Sequence, residues 1–83
     1  MKPVKIFTTP YCPYCVKAKR LLTRKNVPYE EVDVAGDDAA REKLTQQTGM
    51  QTVPQIFIGD TFVGGSDDLY ALEAAGKLDP MLA

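Results

Sequence analysis

The chain has 83 residues, 45% of them hydrophobic and 25% charged, with a net charge of -1. That length holds one small core spanning 1–83 and leaves no room for a second domain. So balanced a charge gives no reason to expect nucleic acid or an anionic membrane as partner, and Lys5 interrupts the N-terminal apolar stretch, so neither a signal peptide nor a membrane span fits it.

Val4-Lys5-Ile6-Phe7-Thr8 is β-prone and predicts a first strand, closed by the turn-forming Thr9-Pro10-Tyr11. From Pro13 to about Lys25, Cys15, Ala18, Leu21 and Leu22 fall at helical spacing while Lys17, Arg20 and Arg24 take another face. Pro13 suits the first helical turn, where its missing N–H costs nothing. Asn26-Val27-Pro28 ends that helix, and Tyr29 to Val34 reads as a second strand. A second helix opens at Gly36-Asp37-Asp38, with Ala40 and Leu44 on one face and Gly49 as its stop. Gln55–Ile58 and Thr61–Val63 flank Gly59-Asp60, which predicts a tight hairpin. Ser66-Asp67-Asp68 offers an N-cap and acids that suit the dipole of a last helix, ending near Gly76.

The order is β-α-β-α-β-β-α. The front strand, helix and strand make a parallel unit while the hairpin is antiparallel, so the sheet is four-stranded and mixed, with helices on both faces.

Cys12-Pro13-Tyr14-Cys15 contains the only two cysteines of the chain. Residues i and i+3 share a helix face, so the two sulfurs can close a small disulfide. Cys12 also sits where free N–H groups and the helix dipole favour a thiolate over a thiol. A bridge over so short a loop adds little stability, which argues against a structural staple. Two buried small hydrophobes, or half of a zinc site, are the competing readings. Zinc wants four ligands, and a chain with no histidine and no further cysteine cannot supply a Cys/His set.

With Cys12-Pro13-Tyr14-Cys15 after the first strand, Thr52-Val53-Pro54 before the third and Gly64-Gly65-Ser66-Asp67-Asp68 before the last helix, the chain resembles a dithiol glutaredoxin over essentially its whole length. The resemblance implies a thioredoxin fold and a glutathione-dependent thiol-disulfide oxidoreductase. It makes Cys12 the nucleophile and Cys15 the resolving thiol, forming a redox disulfide. It makes Thr52-Val53-Pro54 a cis-proline loop whose Val53 backbone pairs with glutathione, and it sets Gly65, Ser66 and Asp67 around the γ-glutamyl end. Capping of the last helix is the competing use of Ser66, Asp67 and Asp68. Tyr14 becomes a wall of the groove, and Gln46 lies near the glycine carboxylate of glutathione. Many relatives carry lysine where this chain has Thr9, which removes a cation and leaves Lys17 and Arg20 as the nearby positive charges.

Glutathione is then the reducing co-substrate, with no metal expected. The implied partners are glutathionylated or disulfide-containing proteins, ribonucleotide reductase among them, with glutathione reductase acting indirectly. The implied protein is a monomer of the cytoplasm. In such chemistry a stabilised thiolate gains more as a leaving group than as an attacker, because nucleophilicity falls as acidity rises. The alternatives from other classes are a carrier of a [2Fe-2S] cluster ligated by glutathione, and a redoxin reduced by thioredoxin reductase.

Overall fold

Alternation along Val4–Thr8 sends Val4, Ile6 and Thr8 into the interior and turns Lys5 and Phe7 to the other side of the strand. In the computed structural model, which describes residues 1–83, this is β1 (Val4–Thr8), followed by α1 (Pro13–Arg24), β2 (Glu30–Asp33), α2 (Asp38–Thr48), β3 (Gln55–Ile58), β4 (Thr61–Gly64), α3 (Ser66–Ala74) and α4 (Leu78–Leu82).

The strands form one sheet in the order β2-β1-β3-β4, with β1 parallel to β2 and the remaining pairs antiparallel. Register sets Ile6 against Ile56 and Val4 against Ile58, so four branched apolar side chains floor the core. Ala18, Leu21 and Leu22 of α1, Leu69 of α3, and Leu78 and Leu82 of α4 close over them. Each such leucine withdrawn from water contributes about 1.5–3 kcal/mol. Across β1, β3 and β4, Phe7, Phe57 and Phe62 form a half-buried aromatic row, with centroid separations of 5.8 and 5.1 Å. The fold is thus thioredoxin-like, a mixed sheet flanked by helices.

Helix α2 starts at the Asp37 cap, whose carboxylate accepts from the Ala40 N–H at 3.0 Å, and ends at Gly49, left-handed at φ 78. Two differences from the expected elements stand out. The chain does not stop at Gly76 but adds α4, which buries Leu78 and Leu82 and returns the Lys2 N–H to the Leu82 carbonyl at 2.7 Å. The N-cap of α3 is Gly65 rather than Ser66, because Ser66 is already helical and points inward, 3% exposed. Lys25 ties the end of α1 to both C-terminal helices, pairing with Glu73 at 2.9 Å and Asp79 at 2.8 Å. No helix is long and apolar enough to cross a membrane.

Candidate active site

Cys12 is the N-cap residue of α1, extended at φ -111, and Pro13 occupies the first helical position. That geometry turns the first free N–H groups of the helix toward the Cys12 side chain. The Cys15 N–H donates to Cys12 Sγ at 3.1 Å, and the Cys12 thiol points at the Val53 carbonyl at 3.6 Å. Both cysteines are free thiols, Cys12 half-buried and Cys15 only 1% exposed. Burial pushes the Cys15 thiol up to about 12, and the neighbouring Cys12 sulfur adds to that, while the Thr9 backbone and the Lys19 charge oppose it. One thiol faces solvent and a helix terminus; the other is sealed behind it.

The Val53–Pro54 peptide bond is cis, with Thr52 exposed, Val53 half-buried and Pro54 buried. Gln55, 2% exposed, holds this loop: its amide donates to the carbonyls of Met50 at 2.9 Å and Thr52 at 3.1 Å, and its oxygen accepts from Thr48 at 2.8 Å. In sequence Gln55 passes for an ordinary strand residue. The only signal of its role is a polar side chain at the head of an otherwise apolar run.

Gly64 and Gly65 bring α3 up to the same loop, since a Cβ on Gly65 would stand 3.5 Å from the Pro54 carbonyl. Gly64 takes φ +119, and a Cβ there would collide with the Asp68 carboxylate. Asp68 reaches back to accept from the Gly65 N–H at 3.0 Å, so this first donor is already used. Asp67 is exposed in the first turn, while buried Ser66 Oγ has no hydrogen-bond partner.

Tyr14 is 58% exposed and Tyr11 97% exposed, flanking Cys12 in sequence. Gln46 is exposed on α2. Lys17, expected with Arg20 as a nearby cation, lies over the Tyr70 ring at 4.9 Å. The cation that bears on the Cys15 thiol is Lys19, whose ammonium donates to Glu31 at 2.9 Å. A hollow of about 920 Å3 lies among Pro3, Phe7, Pro28, Tyr29, Gln47 and Phe57, and none of the expected site residues lines it. The chemistry sits on an open surface around Cys12 rather than in a deep cavity.

The arrangement of an accessible thiol at a helix cap, a buried partner one turn on, and a proline loop opposite recurs in known proteins. The glutaredoxin family model matches residues 4–63. The chain is 54% identical to a glutaredoxin of Pseudomonas aeruginosa over 83 residues, covering 100% of this chain and 99% of that protein. It is 50% identical to glutaredoxin 3 of Escherichia coli K12 over 82 residues, covering 99% of each. Among solved structures, a buckwheat glutaredoxin-glutathione complex superposes with a TM-score of 0.93 at 36% identity, over 98% of this chain and 76% of that one. The solution structure of a Brucella melitensis glutaredoxin gives 0.89 at 50% identity, over 99% and 89%.

Proposed function

The chain belongs to the glutaredoxin family and is a dithiol thiol-disulfide oxidoreductase acting through its paired cysteines, and from that premise we propose that Cys12 attacks, Cys15 resolves and glutathione restores the pair. The observation that carries this assignment is the contrast between the sulfurs. Cys12 caps α1 and accepts the Cys15 N–H at 3.1 Å, whereas Cys15 is 1% exposed and cannot meet a substrate.

For a glutathione mixed disulfide, the Cys12 thiolate takes the glutathionyl group and expels the other thiol; a second glutathione then releases glutathione disulfide. This route needs one cysteine. For a protein disulfide, Cys15 displaces the substrate thiol from Cys12, and two glutathiones reduce the Cys12–Cys15 bond that results.

Glutathione lies along Tyr14, Thr52, Val53 and Pro54, its backbone paired with that of Val53. Its γ-glutamyl end meets Gly65, Ser66 and Asp67. The Ser66 and Asp67 N–H groups hold the carboxylate, Asp67 pairs with the ammonium, and Gly65 gives close backbone approach rather than a donor. Gln46 reaches the glycine end. Substrates are glutathionylated proteins and protein disulfides, ribonucleotide reductase among the candidates, with glutathione reductase closing the cycle. The protein works as a monomer in a compartment that keeps glutathione reduced, such as the cytoplasm.

The test is a glutathione-coupled assay with hydroxyethyl disulfide. Cys12→Ser loses activity and Cys15→Ser retains it. Activity surviving in Cys12→Ser overturns the assignment.

A further inference from the structure

Where Lys19 of α1 meets the C-terminal ends of β1 and β2 lies a polar cleft that the glutathione route does not use. Lys19 is at the i+4 position from Cys15 on α1, on the same helix face. Its ammonium donates to Glu31 Oε2 of β2 at 2.9 Å, and Thr8 of β1, only 2% exposed, donates to the same oxygen at 2.8 Å. Together with Thr9, Pro10 and Asp33, these three side chains line a hollow of about 390 Å3. Thr9 belongs to both places, since its backbone also faces the Cys15 sulfur. Glu31, held from two elements, therefore fixes the Lys19 side chain, whose backbone lies one helical turn along α1 from Cys15.

We propose that Lys19, positioned by Glu31 and Thr8, stabilises the Cys15 thiolate as it forms in the resolving step. The inference rests on the assignment of Cys12 as attacker and Cys15 as resolver. With the substrate held as a Cys12–S–S–R mixed disulfide, Cys15 gives up its proton as it attacks. Its electron pair makes the Cys12–Cys15 bond, the bond from Cys12 to the substrate sulfur breaks, and the departing substrate thiolate takes up one proton, so that the net step moves one proton from Cys15 to the released thiol. The protein dithiol is oxidised as the substrate disulfide is reduced.

The groups facing Cys15 are Cys12 and Lys19 from α1, Thr9 from the preceding loop, and Glu31 from β2 through Lys19, with Asp33 on the cleft rim. In the free dithiol, burial and Cys12 both hold the Cys15 proton on. Once Cys12 is in a mixed disulfide it carries no charge, so burial is then opposed by Lys19 and the Thr9 backbone. Cys15 stays silent until Cys12 is loaded.

Each tenfold loss of Cys15 thiolate raises the nucleophilicity of what remains ~3-fold, leaving resolution ~3-fold slower. The experiment is stopped-flow reaction of the reduced protein with dithiobis(nitrobenzoate) across a pH series. The first thionitrobenzoate released reports Cys12 attack and the second reports Cys15 resolution. Lys19→Met is expected to slow the second release relative to the first ~3-fold at neutral pH and move its pH profile upward. Glu31→Gln shifts it in the same direction by less, and Lys19→Arg restores it. A ratio of rates and a pH profile unchanged in Lys19→Met overturn the proposal. Cys15→Ser separates the two readings, because a second release that persists there overturns the assignment of the cysteines, whereas its loss leaves Lys19 alone under test.

Discussion

The Cys15 backbone donates to the Cys12 sulfur across 3.1 Å while the Cys15 side chain is sealed from solvent, 1% exposed. A single turn of helix thus supports one thiol and hides the other. With Cys15 held near 12, only ~10⁻⁵ of it is thiolate at pH 7. Brief iodoacetamide treatment of the reduced protein at neutral pH is therefore expected to alkylate Cys12 alone, whereas both cysteines react in denaturant. Peptide mass spectrometry reads this directly. Comparable native labelling of the two residues would contradict the burial argument.

Gln55 supports a second expectation. Its side chain satisfies the Met50 and Thr52 carbonyls and the Thr48 hydroxyl, all from inside the protein. Gln55→Leu removes the partner of the Met50 and Thr52 carbonyls, while the Thr48 hydroxyl keeps the Leu44 carbonyl, and costs about 1–3 kcal/mol. Because the same bonds hold the loop that presents Val53, the KM for glutathione rises together with the loss of stability. Urea denaturation and the hydroxyethyl disulfide assay measure the two effects. A destabilised variant with unchanged KM would mean that Gln55 supports the core and not the groove.

The cap of α3 gives a third. Gly64→Ala forces a side chain into the Asp68 carboxylate at a φ of +119, a conformation that costs a residue with Cβ about 1–3 kcal/mol. Asp68→Ala loses about 1 kcal/mol as the Gly65 N–H goes unpaired, and Asp68→Asn keeps an acceptor and most of the stability. Thermal melts rank the three. If Asp68→Ala melts as wild type does, the reciprocal bond to Gly65 carries no weight.

Much of this was legible in sequence because local chemistry determined it. Alternation in β1, the Gly59-Asp60 turn and the Pro13 start of α1 each rest on a few adjacent residues. Helix α4 was not legible: five residues with Pro80 inside them show no periodicity, and only tertiary contact tells Leu78 and Leu82 from a loose tail. The Ser66 cap misled because Ser is a good N-cap, yet burial of Ser66 and the reach of Asp68 moved the helix start by one position. Lys17 and Lys19 look alike in sequence. Parallel pairing of β1 with β2 puts Thr8 beside Asp33 and draws Glu31 to Lys19, while Tyr70 of α3 draws Lys17 away.

Helix α4 carries its own prediction. Leu78 is completely buried in the core cluster although it lies beyond the last predicted element. Leu78→Ala is expected to cost about 2–5 kcal/mol, a large part of the ~5–15 kcal/mol available to a small domain. The Cys12 alkylation rate in the folded fraction stays unchanged, since α4 packs on α3 rather than at the Cys12 cap of α1. Urea titration with parallel iodoacetamide kinetics checks both. A cost below about 0.5 kcal/mol would mean that the C-terminal helix frays in solution.

The Lys19–Glu31 pair predicts a window of pH for stability. Lys19 and the Thr8 hydroxyl hold the Glu31 carboxyl below its ordinary 4.5, so its contribution is present above 4.5 and is lost as pH falls through the lowered folded value. Glu31 holds Lys19 above its ordinary 10.5, so that contribution is complete below 10.5 and is lost as pH rises through the raised folded value. The two side chains are 38% and 29% exposed, so solvent screening limits the pair to about 0.2–1 kcal/mol. Glu31→Gln should then be less stable than wild type at neutral pH by that amount, with the difference closing well below pH 4.5 and shrinking in high salt. The Lys25 pairs with Glu73 and Asp79 are common to both proteins and cancel in the comparison. A difference that persists unchanged in acid would assign the effect to Thr8 packing against residue 31 rather than to charge.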